Sequence, residues 1–222
     1  MKTFFSALLL LIPMMVFAQA TEDSDSRFQE GTHYTVINGL PAGSKPTVTE
    51  LFSVYCGSCY QWEYGPLNTL KSWLNQQNID FQQAHMDFMG GYAKQASTAL
   101  AITQGTPRFS AVKKELFNRI HTERKGDWKS NNEFFQSLES AGLTEADFNM
   151  MKSSLSVGMK LMEWHRYGEH VHAVPSFMVN NRYLVNMSSL KSYDDLNSLI
   201  TYLTSLPVPT GLQNATQRYN ER

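Results

Sequence analysis

The chain has 222 residues, and its 19 basic and 20 acidic side chains leave a formal net charge of −1. That balance offers no electrostatic footprint for a nucleic acid or an anionic membrane surface. A hydrophobic share of 42% with no low-complexity tract excludes a disordered chain and suffices for one large domain or two small ones.

Residues 1–20 stand apart. Lys2 precedes an apolar run from Ala7 to Phe17, and Ala18-Gln19-Ala20 places small residues at both cleavage-determining positions. This is the pattern of a secretory signal peptide cut after Ala20. The run falls short of the roughly 20 residues that span a bilayer, and no later stretch is long and apolar enough to do so. An exported chain meets an oxidising compartment, where a disulfide persists.

After a polar, acidic segment at 21–30, residues 33–37 are rich in β-branched and aromatic side chains and predict a first strand. Asn38 to Pro46 is turn-rich. Residues 48–55 are apolar on both parities, as a strand in the middle of a sheet would be. Glu50 is the exception. Alternation puts it on the face of Val48, Phe52 and Val54, six positions before Cys56. No Arg or Lys lies nearby in sequence to offset its desolvation, so a buried Glu50 should ionise late and be able to move protons near the cysteines. An edge carboxylate turned to solvent is the alternative.

That strand runs into Cys56-Gly57-Ser58-Cys59, which holds the only two cysteines of the chain. An i, i+3 pair at a helix start can bridge, and the unpaired N–H groups and dipole of the helix stabilise a thiolate on Cys56, the form that reacts in thiol–disulfide exchange. As a staple so short a loop is poor, worth about 2 kcal/mol against roughly 3 for fifteen residues. A zinc site would need two further ligands from far along the chain. The redox reading is the strongest of the three.

Beyond Cys59, Trp62, Pro66, Leu67, Leu70, Trp73 and Leu74 keep a helical stripe, with a kink expected at Gly65-Pro66. Residues 79–86 predict a third strand, and Phe88-Met89-Gly90-Gly91 turns the chain out of it. The next 86 positions carry almost no strand signal and predict three to five helices, including 92–104 and 155–167. Ser130 to Glu133 and Thr144 to Asp147 resemble capping boxes. Strand signal returns at 174–179 and 182–186 around Asn180-Asn181, a two-residue hairpin turn. Ser192 caps a last helix through Leu206, and 207–222 is a polar tail.

Strand, strand-CxxC-helix, strand, then a late Val-Pro hairpin and a final helix resembles the thioredoxin fold. With helices inserted before the Val-Pro, the chain resembles the DsbA family of periplasmic thiol oxidases. The residues that carry the resemblance are Glu50-Leu51-Phe52-Ser53, Cys56, Cys59-Tyr60-Gln61, Glu63, Phe88-Met89-Gly90-Gly91, and Val174-Pro175 leading to Phe177, Val179 and Asn180. It implies an α/β thioredoxin fold with an inserted all-helical subdomain: residues 21–88 and 169–206 as the two parts of the thioredoxin-like domain, 89–168 as the insertion. Carried over, Cys56 is the exposed nucleophile, Cys59 the buried resolving thiol, and Pro175 a cis-proline facing the pair. Val174 offers backbone groups to a substrate strand, beside Gly57 and Ser58. Glu50 and Glu63 are acidic residues beneath the site, with Gln83 where a lysine is expected. His172 is expected as a basic residue on the rim, favouring the Cys56 thiolate when protonated.

The implied function is oxidation of reduced exported polypeptides in the periplasm, with a quinone-linked membrane oxidase of the DsbB type restoring the Cys56–Cys59 disulfide. The protein would be a monomer, with no cofactor beyond that disulfide and no metal. Gly57-Ser58 departs from the Pro-His common in the family, and Ala173 replaces a glycine. A reductase or isomerase is the alternative enzyme, although only 35 residues separate position 21 from Cys56, too few for an isomerase's dimerisation domain. A peptide-binding chaperone is the alternative of another class. Its eleven methionines would suit adaptable binding, but most outside the signal peptide fall at core-like helical positions. A metal variant would use His165, His170 and His172, which read better as surface histidines.

Overall fold

The computed structural model describes residues 27–41 and 45–207; the signal-peptide reading of 1–20 and the tail from 208 onward lie outside the described residues. One mixed sheet orders its strands β1-β5-β4-β2-β3. These are β1 (Tyr34–Val36), β2 (Thr47–Phe52), β3 (Asp80–His85), β4 (Ser176–Val179) and β5 (Tyr183–Val185). β2 pairs in parallel with β3 and antiparallel with β4, so it sits inside the sheet. That position explains its run of apolar residues on both parities, since every residue from Val48 to Phe52 is buried.

The strand ends at Phe52, three residues short of the sequence expectation. Ser53 to Cys56 instead form a turn, closed by the Cys56 N–H donating to the Ser53 carbonyl at 3.0 Å. The hairpin expected at Asn180-Asn181 is present, with φ of 55° and 52°. Asparagine tolerates this left-handed region better than most side chains.

α1 (Gly57–Glu63) and α2 (Leu67–Gln76) are separate helices, so Gly65-Pro66 breaks the helix where a kink was expected. Pro66 lacks an N–H and its ring clashes with the carbonyl one turn back. Between β3 and β4 the elements are helical: α3 (Ala93–Thr103), α4 (Arg108–Phe117) running into a π-helical turn (Asn118–Thr122), α5 (Asn131–Ser140), α6 (Glu145–Met151) and α7 (Leu155–Gly168). The Ser130 and Thr144 hydroxyls accept from the N–H groups of Glu133 and Asp147 at 3.2 and 3.0 Å, capping α5 and α6. Ser192 caps α8 (Tyr193–Ser205) in the same way.

Two apolar clusters cover the sheet. Phe177 and Val179 of β4 join Val48, α2 and α8. Met178, pointing the other way, joins Leu51, Cys59 and the helices between β3 and β4. The methionines depart from expectation. Met86 and Met178 are buried, whereas Met150, Met159 and Met162 are 72%, 57% and 50% exposed. Met159 and Met162 share a stripe of α7 with Leu155 that no described element covers, so helical periodicity alone misplaced them in the core.

Candidate active site

β2 delivers Cys56 to the start of α1, as its N-cap in extended conformation. Cys56 Sγ accepts from the Cys59 N–H at 3.2 Å. As a thiol it also lies 3.2 Å from the Val174 carbonyl oxygen, to which the S–H donates. Both cysteines are free thiols in this structure. Cys56 is half-buried, Cys59 is 1% exposed, and Gly57 and Ser58 between them face solvent.

That geometry splits the two acidities. Hydrogen bonding from the Cys59 side chain draws the Cys56 thiol down to about 6; partial burial opposes this, and the Cys59 and Ser58 backbone N–H groups add to it. The same hydrogen bond, followed by burial and the nearby Glu50 charge, pushes the Cys59 thiol far up. One sulfur is therefore a thiolate in neutral solution while its neighbour keeps its proton.

The front of the pair is bare. The Val174–Pro175 peptide bond is cis and brings the Val174 carbonyl to Cys56. Ala173, standing where a glycine was expected, accepts from the Ser176 hydroxyl at 2.7 Å. His172 is exposed and makes no hydrogen bond or ion pair with the described residues.

The back is dense with charge. Glu50 is 1% exposed and stands opposite Gln83 in the β2–β3 register. Gln83 Nε2 donates to Glu50 at 2.6 Å and to Glu63 at 3.2 Å. Desolvation raises the Glu50 carboxyl to about 7, with Gln83 as the largest opposing influence. The expectation that no cation lies near needs correction. Lys113, sixty-three positions along on α4, places Nζ 2.8 Å from both Glu63 oxygens and 2.7 Å from Gln83 Oε1. It is 3% exposed. The lysine missing from β3 is supplied by the helical insertion, with Gln83 linking it to Glu50.

Sequence reading missed Lys113 because it sought a cation near Glu50 along the chain. The available signal was a lysine on the apolar stripe of α4, with Phe109 at i−4 and Leu116 and Phe117 at i+3 and i+4. It also missed what holds the Ser53–Cys56 turn. The Tyr55 hydroxyl donates to Asp127 at 2.6 Å, and the other oxygen of Asp127 accepts from the Gly91 N–H at 2.6 Å. The two glycines are needed for this contact. A Cβ on Gly90, at φ +91°, would stand 2.3 Å from the Tyr55 ring, and one on Gly91 would stand 2.5 Å from the Asp127 carboxylate. One residue earlier, the Val54 N–H donates to His85 Nε2 at 3.1 Å and the Val54 carbonyl accepts from His121 Nε2 at 2.8 Å.

No protein-family model matches the chain. The thiol:disulfide interchange protein DsbL of Escherichia coli O6:H1 is 26% identical over 86% of this chain and 94% of its own length. The thiol:disulfide interchange protein DsbA of Haemophilus influenzae is 29% identical over 75% of this chain and 80% of its own. Among solved structures, the DsbL of Salmonella enterica serovar Typhimurium superposes with a TM-score of 0.70 at 24% identity, covering 81% of this chain and 98% of that one.

Proposed function

Because the chain belongs to the DsbA family of thioredoxin-superfamily thiol:disulfide oxidoreductases, we propose that it works in the oxidising direction, donating a Cys56–Cys59 disulfide to reduced exported polypeptides. A substrate thiolate attacks Cys56 Sγ, the Cys56–Cys59 bond breaks, and the electron pair leaves on Cys59, which takes up a proton. The resulting mixed disulfide is resolved by a second substrate thiolate, which attacks the substrate's own sulfur and releases the Cys56 thiolate. The substrate dithiol is oxidised, the enzyme disulfide is reduced, and two electrons change hands.

The observation that carries this reading is the unequal pair: a half-exposed Cys56 drawn down to about 6 beside a buried Cys59 held protonated. A sulfur stable as a thiolate is the better leaving group, so exchange favours release of reduced Cys56 and an oxidised substrate. The carbonyl of Val174, which meets the Cys56 thiol, suits an extended substrate strand pairing there through its backbone once Cys56 has lost its hydrogen. Glu50, buried behind the pair with a carboxyl near neutrality, is the group suited to exchange the Cys59 proton.

Return of the disulfide needs an oxidant, which we assign to a quinone-linked membrane oxidase of the DsbB type. The signal-peptide pattern at 1–20 supports the periplasm as the place of this work, and no helix among the described residues is long and apolar enough to cross a membrane. The test is oxidation of a reduced unfolded polypeptide by the pre-oxidised protein, against a Cys56→Ser/Cys59→Ser variant. Stoichiometric oxidation lost in the variant is expected. An equal effect of both proteins would make this a peptide-binding chaperone, and a potential at or below about −270 mV, the thioredoxin value, would make it a reductase.

A further inference from the structure

The turn that carries Cys56 has an unusual demand. In a four-residue turn closed between the carbonyl of Ser53 and the N–H of Cys56, the N–H and carbonyl of Val54 have no partner inside the turn. On a surface loop water would satisfy them. Here Val54 is fully buried, so both groups must be met by the protein.

Two imidazoles meet them. We propose that His121, on the π-helical turn of the insertion, is a positioning residue for Cys56 that acts through the Val54 carbonyl, with His85 holding the Val54 N–H from the other side. The roles of the rings follow from what each touches. A carbonyl only accepts, so His121 Nε2 carries the hydrogen of the 2.8 Å bond. A backbone N–H only donates, so His85 Nε2 is bare, and its Nδ1–H faces Ser97 Oγ at 2.7 Å. The Val54 N–H thus fixes the His85 tautomer, and Ser97, on α3, accepts the hydrogen this leaves on Nδ1. Burial keeps that ring neutral down to about 3, so its acceptor survives in ordinary solution.

The N–H of Val54 belongs to the peptide plane before it and the carbonyl to the plane after it. Holding both fixes the two backbone dihedrals of Val54 and so the direction in which the chain enters Cys56. His121 is itself anchored: its ring stacks on Tyr60 at 5.0 Å between centroids, and the Tyr60 and Thr122 hydroxyls lie 2.9 Å apart. Tyr60 directly follows Cys59, so the insertion grips the turn before the cysteine pair and the helix after it. A π-helical turn at the end of α4 is what aims His121 inward, a use such turns often have at functional sites.

This rests on Cys56 being the nucleophile, and the test separates the two claims. Thiolate absorbance of the reduced protein is titrated against pH, exchange with oxidised glutathione is timed at pH 7, and unfolding in urea is followed in parallel. His121→Leu should move the Cys56 titration upward by about half a pH unit to one unit and slow exchange about threefold to tenfold, the range of one lost hydrogen bond. His121→Gln, which keeps an N–H donor, should recover most of both. Ser97→Ala, which removes the acceptor of the His85 Nδ1–H and loosens that ring, should shift the titration in the same direction. A merely structural role would move the urea midpoint alone. The proposal is overturned if His121→Leu titrates and exchanges like the unmodified protein, or if His121→Gln is as impaired as His121→Leu. Should His121→Leu not fold, His121→Asn, whose shorter amide falls short of the Val54 carbonyl, takes its place, and an unmoved titration and exchange rate in it overturn the proposal. A low-pH thiolate step that survives in a Cys56→Ser variant would instead overturn the reading of Cys56 as nucleophile.

Discussion

The two sides of the cysteine pair are built by different parts of the chain and by different physics. In front of Cys56 stand a glycine, a serine and the Val174 carbonyl. Behind Cys59 lie two carboxylates, an amide and a lysine, all hydrogen-bonded and mostly buried. The front stabilises a thiolate with neutral groups, whereas the back handles charge in a low-dielectric interior where each partner counts for more. Effects of substitution should therefore be large behind the pair and small in front of it.

The largest effect should come from Lys113→Met. It keeps the volume of the stem but leaves the Glu63 carboxylate, 17% exposed, without its cation. Breaking such a pair from one side costs about 3–5 kcal/mol, to be read as a lower urea midpoint of the reduced protein at pH 7. A loss below about 1 kcal/mol would mean the back of the site tolerates charge as a surface does.

Next is Glu50→Gln, whose effect depends on pH. Burial raises the folded-state pKa of Glu50 to about 7 from 4.5. The stability linked to its proton is therefore fully present below about 4.5 and is lost as pH rises through about 7. Over that window the unmodified protein should lose about 3 kcal/mol relative to Glu50→Gln. Parallel stability curves for the two proteins would show that Glu50 is not the group titrating there. The substitution should also slow the release of Cys59 more than it changes stability at low pH.

In front, Ser58→His adds a charge where the serine offers none. The Cys56 titration should fall by about one pH unit, worth about 1.4 kcal/mol, and the potential should rise by roughly 30 mV. The starting point matters as much. Reference cysteines lie near 3.5 in DsbA itself and near 7 in thioredoxin, values that belong to those proteins. Cys56 at about 6 falls between them, so the potential of the unmodified protein should fall between about −120 and −270 mV by equilibration with glutathione. A value at or above −120 mV would mean that the front holds a stabilising group the geometry lacks.

His172→Ala should do least. An exposed side chain with no partner changes the titration by less than about 0.3 pH unit, in keeping with the small worth of exposed charges. A larger shift would show that His172 acts on the Cys56 sulfur.

What the sequence made legible follows the same division. Cys56, Cys59 and Glu50 announced themselves because local pattern determines them: a strand, a helix start, a face of alternation. The order of strands and the helical stretch between β3 and β4 were readable for the same reason. Lys113, Asp127, His85 and His121 were not, because their importance lies in contacts across 30 to 72 positions. The cis Val174-Pro175 step came only from the family resemblance, because an X–Pro bond is far more often trans. Gln83 shows the limit most directly. Taken alone it stands without a cation, and only the fold reveals that the cation arrives from another element. The exposed Met159 and Met162 err in the opposite sense, since periodicity marks a helical stripe without saying whether anything lies against it.

The unequal acidities of Cys56 and Cys59 also set the proton count of the redox couple. Below about pH 6 both sulfurs of the reduced protein carry hydrogen, so forming the disulfide releases two protons for two electrons and the potential drops by about 59 mV per pH unit. Above that point one sulfur is already bare, a single proton leaves, and the slope falls to about 30 mV per pH unit. Across mildly alkaline surroundings such a couple drifts half as far as an ordinary dithiol would. Its oxidising strength relative to those substrates therefore grows as the medium becomes more basic.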